Sequence, residues 1–93
     1  MNFNDIREKV RIIKKYYPGL SAFEVLEELK IITGFLDNNI ETALPEGCYF
    51  KLDNIKFVLI DPSLNEYERN RVYAHELGHA LLHPNVNTLR LES

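Results

Sequence analysis

The sequence has no tryptophan, a single cysteine and a single methionine, and only four glycines and four prolines in 93 residues. One cysteine, Cys48, excludes an intrachain disulfide and favours a reducing, cytoplasmic setting. No apolar run approaches the ~18 residues of a membrane span, and the polar stretch Met1 to Asp5 is unlike a signal peptide, so no membrane partner is expected. With so little glycine and proline there is no low-complexity linker, and nothing repeats. The chain therefore reads as one domain over residues 1–93, near the size where burial begins to suffice without staples. Its hydrophobic content of 45% is enough for a core.

The net charge of −3 conceals a division. Arg7, Lys9, Arg11, Lys14 and Lys15 make the first segment basic, whereas Glu24, Glu27, Glu28, Asp37, Glu41 and Glu46 make the next one acidic. A basic helix can mark a nucleic-acid surface. Here Ile6, Val10, Ile13 and Tyr17 mark its other face as core, so a solvated face paired with the acidic neighbour is the better account and direct nucleic-acid binding is not expected.

Local signals set the frame. Asn4 is placed to cap a helix over about residues 5–17, ended by Tyr17-Pro18-Gly19. Ser21-Ala22-Phe23-Glu24 is a capping box opening a second helix that runs to about Lys30 and buries Ala22, Val25, Leu26 and Leu29. Ile31-Ile32-Thr33 is β-branched and extended. Residues 37–47 read as a loop. Cys48 to Leu52 and Ile55 to Ile60 flank Asp53-Asn54, a two-residue hairpin signal. Pro62 ends that segment, Ser63-Leu64-Asn65-Glu66 reads as another capping box, and no proline interrupts Leu64 to His83 before Pro84 stops the run. Tyr67, Ala74, Leu77 and Leu81 give this last helix an inward stripe. The expected fold is α+β: two N-terminal helices, a small antiparallel sheet, and a C-terminal helix packed beside it.

That helix carries His75-Glu76-Leu77-Gly78-His79, an HExxH pentad. Histidines four apart lie about one turn, ~6 Å, from each other on one helix face, so both imidazoles can reach a single ion. Neutral imidazole suits Zn²⁺, and a catalytic zinc site characteristically uses three protein ligands and a water. Glu76 is placed to take a proton from that water and pass it to a leaving amine. The candidate residues are thus His75 and His79 as metal ligands and Glu76 as general base, against the plainer account of a helix that merely carries histidines and a solvated glutamate. His83 is a poor third ligand, because it stands ~12 Å along the axis from His75, and suits the negative end of the helix dipole instead. Cys48 is better read as a small packed residue than as a ligand. Gly78, in mid-helix, costs ~1 kcal/mol unless a neighbouring strand or a substrate backbone needs the space.

The run Arg71-Val72-Tyr73-Ala74-His75-Glu76-Leu77-Gly78-His79-Ala80-Leu81-Leu82-His83 closely resembles the active-site helix of ImmA/IrrE-type metallopeptidases. The upstream order, with the apolar strand Lys56-Phe57-Val58-Leu59-Ile60 and then Asp61-Pro62, is similar to that family as well. The resemblance implies a zincin-like domain, Zn²⁺ as cofactor, and a third, acidic zinc ligand on a later helix. Glu92 is the only acidic residue after the motif, and no following helix holds it, so the domain is expected to be the N-terminal portion of a peptidase or a truncated member. The resemblance further implies an intracellular endopeptidase of bacteria, phages or mobile elements that cuts a helix-turn-helix repressor. From another class comes the alternative of a non-catalytic binding or regulatory module with a vestigial motif. An edge strand beside the motif helix, either Ile55 to Ile60 or the segment around Tyr49, is expected to receive substrate as an added strand. The side of the motif helix left open by an absent segment would favour self-association.

Overall fold

The computed structural model describes residues 3–37 and 46–88. The elements run α1 (Phe3–Tyr16), α2 (Ala22–Glu28), β1 (Ile32–Phe35), β2 (Gly47–Leu52), β3 (Ile55–Ile60) and α3 (Glu66–Leu82). This is the α+β architecture, with α3 packed on the sheet and contacted by α1 and α2. Most of the expected 37–47 loop, and Glu92, lie outside the described residues.

The helix ends follow from local hydrogen bonding. α1 begins at Phe3, so Asn4 lies inside its first turn rather than capping it. Such a two-residue difference is ordinary for a terminus where the first four N–H groups lack intrahelical partners. Gly19, with φ of 83°, turns the chain out of α1. Ser21 caps α2 in the expected reciprocal box with Glu24, at 3.2 and 3.0 Å. At the other end Ile31 N–H reaches Leu26 O at 2.9 Å and Lys30 N–H reaches Glu27 O at 3.0 Å. Those two bonds, with Lys30 at φ 62°, form a Schellman motif that ends α2 at Glu28 and aims Ile31 into the core.

The cap of α3 is displaced from the expected one. Asn65, not Ser63, accepts from Glu68 N–H at 2.8 Å, and Glu68 reaches back to Asn65 N–H at 3.1 Å. Ser63 is already engaged: its N–H and its hydroxyl both donate to Asp61 Oδ1, at 2.9 and 2.8 Å. Those bonds favour the ionised carboxylate, the backbone one first, and hold Asp61 below its ordinary pKa of 3.8.

The sheet is mixed rather than wholly antiparallel, in the order β1-β3-β2. β2 and β3 form the hairpin, Leu52 opposite Ile55, around Asp53 and Asn54 with φ of 50° and 66°. Two positive φ values in succession match the type I′ turn that asparagine and aspartate tolerate. β1 pairs with β3 in parallel, Ile32 opposite Phe57 and Phe35 opposite Ile60. Val58, Ile60 and Tyr49 bury their side chains toward α3, joined by Val25, Leu26, Ile31, Leu64, Val72, Tyr73, Leu77 and Ala80. Phe23 packs on Tyr73 with ring centroids 5.2 Å apart, which docks α2 on α3. The stripe differs from expectation in two places, since Tyr67 is 78% exposed and Ala74 lies outside the core cluster, while Val72, Tyr73 and Ala80 do the packing beside Leu77. On the opposite face of the sheet Phe50 stacks on Phe57, while Ile32, Leu52 and Ile55 are half exposed. No helix among the described residues is long and apolar enough to cross a membrane.

Candidate metal centre and its surroundings

The pentad lies in the second half of α3, on the stretch that passes beneath β2 and β3. The Nε2 atoms of His75 and His79 stand 3.1 Å apart, with the rings nearly perpendicular. Two nitrogens each ~2.05 Å from one tetrahedral ion stand ~3.3 Å apart, so this pair has the spacing that two zinc ligands need. Among the described residues no group of three or more His, Cys, Asp or Glu side chains is placed to hold an ion. His83 caps the helix, donating its N–H to His79 O at 2.7 Å, and its ring centroid is 5.9 Å from that of His79. Cys48 is buried in β2.

Glu76 is not a solvated helix glutamate: it is 1% exposed, beneath β2. The chain can come this close because residue 47 is glycine. A Cβ at Gly47 would lie 2.5 Å from Val72 Cγ1, 3.3 Å from Leu59 O and 3.5 Å from Glu76 Cγ. Glycine is thus required where β2 crosses α3, a position that sequence placed in the loop. Gly78 is buried in the same helix.

Beyond α3 the chain folds back over β2. Tyr49 OH donates to Pro84 O, and Lys51 Nζ donates to Asn85 Oδ1 at 2.9 Å. Burial of Tyr49 pushes its phenol pKa up, and the same cause raises Tyr73, with Arg69 opposing it. Thr88, 0% exposed, sits between Tyr49 and Glu76 and bonds to both. A single threonine three residues after Asn85 carries no motif, so sequence offered no signal for it. Arg71 pairs with Glu46 at the mouth of β2, both side chains 52% exposed, a bond that solvent screening holds to under ~1 kcal/mol.

The edge-strand expectation divides. Ile55–Ile60 is the central strand, paired on both sides, and cannot accept another. β2, the strand of Tyr49, is an edge among the described residues, but both backbone groups of Tyr49 are engaged by Thr88.

The described site is thus a buried glutamate and two imidazoles whose Nε2 atoms stand 3.1 Å apart, on one helix laid under a small mixed sheet. The IrrE N-terminal-like domain, a peptidase family, matches residues 32–93, and the chain belongs to that family. It is 49% identical over 78 residues to "Uncharacterized immunity region protein 2" of Bacillus phage phi105, an alignment covering 84% of this chain and 47% of that protein. The chain thus spans about half the length of the relative it matches. No solved structure matches.

Proposed function

We propose that this chain is a zinc-dependent endopeptidase or the N-terminal portion of one, a zincin-like domain acting in the cytoplasm. The observation that carries the reading is the 3.1 Å approach of His75 and His79 Nε2, with Glu76 buried on the same helix. Bound there, zinc supplies a Lewis acid that polarises the scissile carbonyl and makes water a better nucleophile. His75 and His79 offer their neutral imidazoles as ligands, the third coming from an acidic residue later in the chain. Glu76 takes a proton as water attacks and delivers it to the leaving amine, a role worth ~10²–10⁴-fold in rate. The substrate proposed is a helix-turn-helix repressor. In support, the phage relative bears an immunity-region name.

A second reading, a non-catalytic module that recognises its partner without cutting it, is favoured by one observation: no three-ligand group among the described residues. Zinc titration by calorimetry separates the two. The chain alone should bind zinc weakly, lose it with His75→Ala or His79→Ala, and bind tightly once the full natural chain supplies the third ligand. In that full chain Glu76→Gln should keep zinc and fold but lose peptide cleavage. Weak zinc binding and no cleavage by the full chain would leave the module.

A further inference from the structure

The hydroxyl of Thr88 makes three contacts in a fully buried position. It accepts from Tyr49 N–H at 2.7 Å, and its own proton faces two acceptors, Glu76 Oε1 at 3.2 Å and Tyr49 O at 3.3 Å. One proton cannot serve both fully. The nearer of the two is the Glu76 side-chain oxygen, and the second Thr88 acceptor, Tyr49 O, lies on the same residue whose N–H the hydroxyl already holds. Tyr49 in turn is anchored through its phenol to Pro84 O. The chain leaving α3 is therefore stitched to the sheet edge and to the carboxylate of the pentad by one side chain.

We propose that Thr88 is a positioning residue for Glu76. Resting on the reading of Glu76 as general base, the proposal gives Thr88 the task of fixing one carboxylate oxygen so that the other faces the water to be activated. Glutamate has several rotatable bonds, and a misplacement of ~1 Å at a reacting group can cost ~10²-fold in rate. The anchor is itself rigid. Its oxygen accepts from a backbone N–H of a paired strand, so the hydroxyl cannot turn away without leaving that donor buried and unsatisfied.

The test uses the full natural chain, zinc-loaded, on whichever peptide of a quenched-fluorescent set the unmodified protein cuts fastest. Thr88→Val, which keeps shape and removes the hydroxyl, should lower kcat by ~10–100-fold, the usual effect of removing an outer-shell partner. KM and zinc affinity should change less than about threefold, and Thr88→Ser should recover kcat to within about threefold of the unmodified value. Should Thr88→Val not fold, Thr88→Ala, where water can satisfy Tyr49 N–H, takes its place. A kcat unchanged by loss of the hydroxyl, or a Thr88→Ser as impaired as Thr88→Val, overturns the proposal. If the unmodified protein cuts nothing, the peptidase reading fails and the tie is judged separately by NMR on the metal-free full chain at neutral pH. There Thr88→Val should move both the Tyr49 amide and the Glu76 Cδ signals, Thr88→Ser should move neither appreciably, and an unmoved Glu76 signal in Thr88→Val refutes the tie.

Discussion

Replacing Gly47 by alanine tests the close approach of β2 to α3. The added methyl would meet Val72 Cγ1 at 2.5 Å and the carbonyl oxygen of Leu59 at 3.3 Å, with Glu76 Cγ behind them at 3.5 Å. Leu59 O belongs to the central strand and cannot retreat. Val72 is 4% exposed in the middle of α3, where a valine has one strongly preferred rotamer, so it cannot swing aside cheaply either. The remaining response is for β2 and α3 to separate, and overpacking of this kind costs ~1–3 kcal/mol. At ~4–8 °C per kcal/mol for a domain of this size, and a cost of ~2 kcal/mol, the melting temperature should fall by ~8–16 °C. Removing the obstacle should remove most of the cost: in a Val72→Ala background the Gly47→Ala step should take less than ~1 kcal/mol, a coupling that a double-mutant cycle in urea measures directly. An unchanged unfolding midpoint for Gly47→Ala, or an equal penalty in both backgrounds, would refute the close approach.

The two rival caps of α3 can be told apart by alanine. Asn65→Ala should cost ~1 kcal/mol of stability in urea unfolding, and Ser63→Ala less than half of that, because Ser63 serves Asp61 rather than the helix; the reverse order would return the cap to Ser63. Acid stability has two surface contributors. Asp61 and Glu24 are both held below their ordinary values of 3.8 and 4.5 by backbone and then side-chain hydrogen bonds from Ser63 and Ser21. A lowered folded pKa adds stability above the ordinary value and loses it as pH falls through the depressed one. Ser63→Ala and Ser21→Ala should therefore bring the respective carboxyl resonances to titrate at higher pH in a ¹³C NMR titration and flatten the stability profile below about pH 4.5. Resonances that titrate as before would refute the assignment.

Much of the fold was legible because its signals are local. Ser21 and Glu24 are three residues apart, Asp53 and Asn54 are adjacent, and the pentad lies within five successive residues, so each pattern reports a geometry that the backbone imposes by itself. The rest was not local. Nothing in Ile31-Ile32-Thr33 says that the strand runs parallel to residues 57–60 instead of antiparallel, since β-branched residues suit either pairing. Ser63 and Asn65 are equally good caps in composition, and the choice was made by Asp61, which captures the serine. Tyr67 fits the helical period, yet the helix is rotated so that Val72 and Tyr73 face the core. Gly47 and Thr88 owe their importance to neighbours 25 and 39 residues away in sequence, Val72 and Tyr49, which no window of sequence connects.

The mixed sheet also dictates an order of assembly. β2 and β3 are joined by a two-residue turn and can close as a hairpin on the microsecond scale. β1 must then find the far side of β3 across the whole hairpin and the stretch before it, and the entropy of closing that longer loop is spent before any contact rewards it. Thr88 can take its place only after α3 has docked on the sheet, because its partners Tyr49 and Glu76 lie on β2 and on α3. The hairpin is then the natural nucleus, and the completed surroundings of Glu76 are among the last features to form. In a chain emerging from the ribosome N-terminus first, Glu76 would lack its contact with Thr88 until residues beyond α3 have been made.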